Sequence, residues 1–366
     1  MNFKFITAIF LILQYAACLN AQVSGGGSKY NLFFIGDAGD SYTSGKTTQI
    51  LKRYLQQFQT NSAVVFLGDN IYPNGMPDSN STERKNAEKA ITSQMDILKN
   101  YRGKIIFIPG NHDWRQGKSN GLKYVNNQER FIENYLNRGN VFLPDNGCPG
   151  PVEVSLSDSA VMLIIDSEWW FYKNEKPGKQ ECDISGDSDF ILKIQQALLR
   201  NKGKQIIFVA HHPLYSYGAH GGYHALREHF FPLVQLNKAL WIPLPVLGTA
   251  YVLFRKNIQD IKNKRYQQLK NALTGLFEPY RNLIYVSGHE HNLQLINERD
   301  HYFIISGSGS KATYVKKKTN ALFGDSKNGF VQITLQEGKG TKVIFIESQD
   351  KDPSGKILFE KELQSN

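Results

Sequence analysis

Cysteine is scarce in this chain of 366 residues, which contains only three. Cys148 and Cys182 lie outside every histidine motif, so a metal site built on cysteine is not expected. If Cys18 is removed during export, these two cysteines remain as an even pair. They could close one disulfide in an exported chain, or stay as two buried thiols.

The chain also lacks an apolar run that is long enough to be read with confidence as a membrane span. Residues 5–19 are apolar, follow Lys4 and precede a small-residue exit, a pattern typical of a secretory signal peptide cleaved near Ala21. We therefore expect a signal peptide over residues 1–21, a flexible leader over residues 22–29 and a secreted or periplasmic protein. A lipoprotein signal with an anchor at Cys18 is the alternative.

No internal repeat is visible, and nothing in the composition favours disorder. Hydrophobic residues make up 41% of the sequence and charged residues 21%, as in soluble globular proteins. The formal net charge of +10 favours encounter with anions such as phosphate esters, nucleic acids or anionic lipids. Because the positive residues are scattered, we expect no specific nucleic-acid partner.

Apolar runs alternate with amphipathic stretches in the first part of the chain. The pattern predicts buried strands over residues 29–35, 63–67 and 104–108 and helices over residues 47–59, 83–100 and 128–137. This rhythm predicts a largely parallel sheet whose functional edge lies at the carboxyl ends of the strands.

The second part of the chain continues in the same way and could form a second sheet. A hairpin is predicted over residues 152–156 and 160–165, and a helix over residues 189–200. Further strands are predicted over residues 205–210, 283–287, 302–306, 330–335 and 342–347.

Residues 224–254 interrupt this alternation. The stretch 239–254 is very apolar, but Pro243 and Pro245 argue against one continuous helix. A basic amphipathic helix is predicted over residues 256–276. We interpret residues 224–276 as an insertion in a single domain of residues 30–366, forming a lid or wall over the active edge. Peripheral membrane contact through the stretch between Trp241 and Phe254 is the alternative.

Five predicted strands end alike, with glycine or another small residue followed by Asp, Asn or His. The motifs are Gly36-Asp37, Gly68-Asp69-Asn70, Gly110-Asn111-His112, Ala210-His211-His212 and Gly288-His289-Glu290-His291. Carboxylates, an amide oxygen and neutral imidazoles together suit Fe, Zn or Mn better than Ca or Mg alone. The pattern predicts a metal site, and two cations would share a bridging carboxylate.

This ordered series of motifs resembles the calcineurin-like metallophosphoesterases, and within them the purple, tartrate-resistant acid phosphatases. The resemblance covers about residues 30–310. Its subfamily cue is Tyr72, three residues after Asp69, because a phenolate is a strong ligand of ferric iron. The resemblance implies an α/β fold, a four-layer β-sandwich flanked by helices, with the active site at the carboxyl ends of the strands.

The resemblance also implies a pair of bound metal ions. Asp37, Tyr72 and His291 would hold Fe(III), and Asp69 would bridge the pair. Asn111, His211 and His289 would hold Fe(II), Zn or Mn.

Further side chains are expected to act on the substrate or to support the site. His112 would protonate the leaving alcohol as a general acid. Asp113 would orient His112 or cap the following turn, and Asn70 would support its loop. His212 and His220 are candidate substrate contacts.

The function implied is that of a phosphatase that hydrolyses small phosphate monoesters by attack of a metal-bound hydroxide. A phosphodiesterase or nucleotide pyrophosphatase with the same site is one alternative. A non-catalytic envelope-binding protein that keeps the fold is another.

Overall fold

The computed structural model describes residues 29–40, 44–225, 230–231, 240–244, 257–338, 340–348 and 354–364. The expected signal peptide, Cys18, the leader up to residue 28 and most of the stretch between Trp241 and Phe254 lie outside these residues. Among the helices within them, none is both long and apolar enough to cross a membrane.

Strands and helices alternate through the first two thirds of the chain, and strands dominate the last third. The strands are β1 (Lys29–Ile35), β2 (Ser62–Phe66), β3 (Lys104–Phe107), β4 (Val152–Ser157), β5 (Ala160–Ile164), β6 (Gln205–Val209), β7 (Ile284–Ser287), β8 (Leu293–Glu298), β9 (His301–Ser306), β10 (Ala321–Asp325), β11 (Gly329–Gln336), β12 (Gly340–Glu347) and β13 (Lys356–Leu363). The helices are α1 (Gly45–Gln57), α2 (Arg84–Met95), α3 (Gly121–Leu136), α4 (Glu168–Phe171), α5 (Lys179–Cys182), α6 (Asp187–Arg200) and α7 (Lys264–Phe277).

The strands of the described chain form two sheets. The first has the order β13-β12-β11-β1-β2-β3, and the second has the order β10-β8-β9-β7-β6-β5-β4. In the first sheet β1, β2 and β3, which form one end of it, are parallel, and in the second sheet β5, β6, β7 and β9 are parallel. The remaining neighbours pair antiparallel.

The central strands are buried on both faces because one face meets the other sheet and one meets helices. In β1, Leu32 and Phe34 pack between the sheets, whereas Phe33 packs on the helix side. On the helix side, Tyr54 of α1 contacts Phe33, and Phe277 of α7 contacts Phe208 of β6. The layers therefore run helix, sheet, sheet, helix, which confirms the predicted fold class.

The predicted strands are confirmed to within two residues at each end, but three helix boundaries were wrong. The helix predicted over residues 83–100 ends at Met95 and is followed by a 3-10 turn. The helix predicted over residues 128–137 begins at Gly121. The helix predicted over residues 256–276 begins at Lys264, where Asn263 caps it by accepting a hydrogen bond from Arg265 N. Residues 257–262 form turns, and β8, β10 and β13 were not predicted.

Cys148 and Cys182 form a disulfide, with their Cα atoms 5.5 Å apart. The bond closes a loop that contains β4, β5 and α4. It decides between the two alternatives for this pair, since the cysteines are bonded rather than free thiols.

Candidate active site

Five strand ends, three from the first sheet and two from the second, converge at one edge of the sandwich. The polar residues after β1, β2 and β3 face those after β6 and β7, because the carboxyl ends of the parallel strands meet there. The structure brings together all seven predicted metal ligands, namely Asp37, Asp69, Tyr72, Asn111, His211, His289 and His291.

Four of the ligands follow a glycine, and these glycines leave room for the convergence. A Cβ on Gly68 would lie 2.7 Å from Gly110 N and 2.7 Å from His211 Nδ1. A Cβ on Gly288 would lie 2.7 Å from Asp37 Oδ2. Contacts this short do not occur for real side chains, so the small residues at the strand ends are required by the packing of the cluster.

Three of the candidate ligands have left-handed backbone conformations. The φ angles are 58° at Asp37, 53° at Asp69 and 65° at His289. Left-handed backbone is unfavourable for residues other than glycine and concentrates at functional sites. Here it turns the backbone sharply after each of the three strands and directs the side chain into the cluster.

We call Asn111, His211 and His289 the deep half of the cluster. The Asn111 Oδ1 atom lies 3.1 Å from His211 Nε2 and 3.0 Å from His289 Nδ1. The outer ring nitrogens donate to backbone carbonyls, His211 Nδ1 to Leu67 O at 2.8 Å and His289 Nε2 to Gln259 O at 3.1 Å.

The atoms that converge in the deep half are therefore all lone-pair donors, namely Asn111 Oδ1, His211 Nε2 and His289 Nδ1. A carbonyl oxygen can only accept, so the proton of each neutral ring is on its outer nitrogen. Burial, reinforced by the neighbouring histidines His220, His212 and His211, lowers the pKa of His289 well below its usual value, which keeps that ring neutral. Three converging lone pairs repel one another unless a cation lies among them, so this arrangement fits a metal ion.

We call Asp37, Tyr72 and His291 the open half. The Tyr72 hydroxyl lies 3.1 Å from Asp37 Oδ1 and 3.1 Å from His291 Nε2. Burial and the carboxylates of Asp37 and Asp69 raise the pKa of this phenol well above its usual value, so Tyr72 holds its proton in the metal-free protein. Lys311 Nζ lies 4.3 Å from the centre of the Tyr72 ring.

Asp69 contacts both halves. Its Oδ2 lies 3.2 Å from the Tyr72 hydroxyl, and its Oδ1 lies 3.5 Å from His211 Nε2. Burial opposes ionisation of Asp69, but His112 and His211 outweigh it, and the pKa of this carboxyl lies below its usual value. An ionised carboxylate between the two halves has the position that a bridging ligand needs.

His112 lies at the edge of the cluster, and 25% of its side chain is exposed. Its backbone N–H donates to Asp69 Oδ1 at 2.9 Å, and its Nδ1 donates to Pro73 O at 2.6 Å. The other ring nitrogen lies 3.8 Å from Asp69 Oδ2. The ring is therefore oriented by a backbone carbonyl, with Nε2 towards the cluster.

Asp113 does not orient His112, contrary to that expectation. Its buried carboxylate accepts hydrogen bonds from the backbone N–H of Gly110 and of Asn70 and from Asn70 Nδ2. Asn70 Nδ2 also donates to Ile108 O at 2.8 Å. Asp113 and Asn70 thus fix the loops after β2 and β3, and the supporting role expected for Asn70 is confirmed.

The two remaining candidates, His212 and His220, occupy different surroundings. His212 has no exposed surface; its Nδ1 lies 2.8 Å from Ser167 Oγ and its Nε2 lies 2.5 Å from Gln259 Oε1. His220 is partly exposed, its ring centre lies 4.1 Å from that of His289, and its Nδ1 lies 2.9 Å from Asp260 Oδ1.

A cavity of about 450 Å³ opens beside the cluster. It is lined by Asp69, Asn111, His112, His220, His289 and His291, and beyond them by Gln116, Gly117, Glu168, Phe171, Lys173, Asn257, Ile258 and Gln259. The residues of this second group were not predicted from the sequence. Glu168 lies near Asp166, which follows β5 in the way that the other site residues follow their strands, and that signal could have found it. Gln259 lies in a turn with no comparable signal.

Comparison with known proteins gives one family and several solved structures of similar fold. A family model described as calcineurin-like phosphoesterase matches residues 30–293. A search of curated proteins finds no match to the sequence.

Among solved structures, the chain is similar to GAP50, described as the anchor in the inner membrane complex of Plasmodium, with 18% identity and a TM-score of 0.56 over 92% of this chain and 89% of that one. It is also similar to the purple acid phosphatase PPD1 from yellow lupin seeds, with 15% identity and a TM-score of 0.55 over 92% of this chain and 54% of that one. PhoD gives 10% identity and a TM-score of 0.56 over 93% of this chain and 71% of that one. At these identities the likeness concerns the fold alone.

Proposed function

This chain belongs to the calcineurin-like phosphoesterase family, and from that premise we propose that it is a metal-dependent phosphatase that hydrolyses small phosphate monoesters. The observation that carries the proposal is the convergence of Asn111 Oδ1, His211 Nε2 and His289 Nδ1 within 3.3 Å of one another. Neutral, proton-free donor atoms held this close are suited to a cation and to little else.

The donor sets of the two halves fit two different cations. The open half offers a carboxylate, a phenol and an imidazole from Asp37, Tyr72 and His291, an oxygen-rich set that suits Fe(III). The deep half is richer in nitrogen and suits Fe(II), Zn or Mn. Asp69, which contacts both halves, would be shared.

When bound, a cation pair supplies Lewis acidity that lowers the pKa of water and neutralises charge on the phosphoryl group. The leaving group needs a proton, and His112 is placed to supply it. Its Nδ1 is occupied by Pro73 O, so the mobile proton would be held at Nε2 on the cavity side. That proton would pass to the departing alcohol oxygen.

The cavity wall supports a role for His220 in orienting the phosphate. Asp260 contacts the Nδ1 side of this ring, the ring lies against His289, and His220 lines the cavity. We assign His212 a supporting role instead of substrate contact, because its ring is fully buried and both nitrogens are hydrogen-bonded. Burial, together with His211, lowers the pKa of His212 well below its usual value, so it would act as a neutral ring.

The test is hydrolysis of p-nitrophenyl phosphate by metal-loaded protein from acidic to neutral pH. We expect turnover by the wild type, and a loss on the order of 10³-fold in Asp69→Asn, because transition-state charge stabilisation worth several kcal/mol disappears. Asp96→Asn, which removes a carboxylate paired with Lys99 at the surface, is the matched control and should stay active. Wild-type protein that holds two cations and shows no turnover would contradict the proposal.

The size of the cavity favours one alternative substrate. It extends from the cluster towards Phe171 and Ile258, which leaves space for a second ester group. A phosphodiesterase or nucleotide pyrophosphatase would use that space. Higher kcat/KM on bis-p-nitrophenyl phosphate than on the monoester would select this alternative.

Exposed apolar residues favour a second alternative, a non-catalytic envelope-binding protein. Phe230, Trp241 and Ile242 are each about half exposed, and GAP50 is described as a membrane-complex anchor. This alternative predicts liposome binding that survives loss of the metal ligands, without turnover.

Export also belongs to the proposal. The disulfide between Cys148 and Cys182 supports a secreted or periplasmic location, because disulfides persist in oxidising compartments. The mass of the mature chain would distinguish cleavage near Ala21 from lipid attachment at Cys18. A chain that keeps residues 1–21 and stays in the cytoplasm would contradict export.

A further inference from the structure

The turns before α7 contact three histidines of the site. The backbone carbonyl of Gln259 accepts the Nε2 proton of His289 at 3.1 Å. Asp260 Oδ1 lies 2.9 Å from His220 Nδ1, and Ile261 N donates to His220 O at 3.0 Å. The side chain of Gln259 reaches the third, His212.

The Gln259 side chain bridges two buried partners, one that accepts a hydrogen bond from it and one that donates a hydrogen bond to it. Its Nε2 donates to Glu168 Oε2 at 3.0 Å, and its Oε1 lies 2.5 Å from His212 Nε2. The amide oxygen can only accept, so His212 carries its proton on Nε2 and accepts from the Ser167 hydroxyl at Nδ1. An amide satisfies both partners, whereas an apolar side chain satisfies neither.

These contacts fix the position of the Gln259 carbonyl. Gln259 is 8% exposed, Glu168 1% and His212 0%, so these hydrogen bonds are largely shielded from solvent. Since the carbonyl determines which nitrogen of His289 carries the proton, it also determines that Nδ1 faces Asn111 without one.

We propose that Gln259 is a positioning residue that sets the tautomer and orientation of His289, and so the cation affinity of the deep half. The affinity part of this inference rests on the proposed function, and the tautomer part does not. Partners outside the ligand sphere that orient a ligating histidine commonly contribute about 10- to 100-fold to metal affinity.

The test compares wild type with Gln259→Leu, which keeps a similar volume and removes both polar atoms. Long-range ¹H–¹⁵N spectra of metal-free protein labelled in histidine report the tautomer of His289, assigned by its loss in His289→Gln. We expect the Nε2–H form in the wild type and a ratio shifted roughly fivefold or more towards Nδ1–H in Gln259→Leu, the effect of about one net hydrogen bond.

Titration of the same proteins with Zn²⁺ provides the second readout. We expect the affinity of the deep half to fall about 10- to 100-fold in Gln259→Leu, with the affinity of the open half unchanged. The control is Gln267→Leu in α7, whose side chain bonds Ile261 O in the same turns and should leave the tautomer unchanged.

An unchanged tautomer together with unchanged Zn²⁺ affinity in Gln259→Leu overturns the inference. Equal losses in Gln259→Leu and Gln267→Leu also overturn it, because they indicate general loosening of the turns. Wild-type protein that binds no Zn²⁺ would refute the proposed function instead, while the tautomer measurement would still decide the role of Gln259.

Discussion

The deep and open halves of the cluster are organised by different kinds of contact. In the deep half, the backbone carbonyls of Leu67 and Gln259 fix both imidazoles. In the open half, the Tyr72 hydroxyl is surrounded by side chains. The two imidazoles of the deep half are thus oriented by the fold, whereas the Tyr72 hydroxyl is positioned by other candidate ligands.

Exposure differs in the same sense. His211 has no exposed side-chain surface, whereas 23% of His291 is exposed. The His291 side chain can therefore be reached by small solutes, whereas the His211 side chain cannot. This contrast between the two halves can be tested by experiment.

Removing one imidazole from each half should give the largest effect. We expect His211→Ala and His291→Ala each to lose activity on the order of 10³-fold, because a cation ligand is lost. Added imidazole should restore His291→Ala by roughly tenfold or more and leave His211→Ala inactive. The measurement is kcat/KM against imidazole concentration. Equal rescue of both variants would remove the contrast between the halves.

His112→Gln should show a loss that depends on the leaving group. Removing a general acid costs about 10²- to 10⁴-fold for an alkyl phosphate, and much less for p-nitrophenyl phosphate, whose leaving group needs no proton. Metal content should stay unchanged in both halves, because His112 contacts Asp69 through its backbone N–H. Equal losses on the two esters would exclude the acid role.

Gly68→Ala should disturb the deep half through the backbone. Its Cβ would collide with His211 Nδ1, so we expect activity to fall about 10- to 100-fold as the ring moves. Gly203→Ala is the matched control, since Gly203 has the same φ of +90° but nothing within 4 Å of its Cβ. Thermal unfolding and Zn²⁺ titration compare the variants, and identical behaviour would show that conformational strain alone is responsible.

Tyr72→Phe should have the smallest effect on rate. We expect about a tenfold loss, the size of a hydrogen bond to a charged group, and an unchanged Zn²⁺ affinity of the deep half. Iron-loaded wild type should show a visible charge-transfer band that disappears in the variant. A colourless, iron-free wild type that is nevertheless active would refute the purple-type assignment and leave the phosphatase proposal intact.

The convergence of the ligands could be predicted from the sequence because it follows from topology. Each candidate follows a strand, and parallel strands bring their carboxyl ends to one edge. Tyr72 required the family resemblance, since a tyrosine before Pro73 carries no signal of its own.

The supporting residues could not be predicted in the same way. Gln259 and Glu168 are 91 residues apart in sequence, and only the folded chain brings them together. The start of α3 was missed because Asn126 and Asn127 have low helix propensity, which burial of Val125 overrides. The strand β13 was missed because its charged, half-exposed sequence is typical of a sheet edge.

Left-handed backbone at Asp37, Asp69 and His289 lowers thermal stability at positions where the proposed chemistry requires a side chain. Glycine at these positions would adopt the left-handed backbone without the steric cost that a Cβ brings. Asp37→Gly, Asp69→Gly and His289→Gly in the metal-free protein are therefore expected to melt at higher temperature than the corresponding alanine variants.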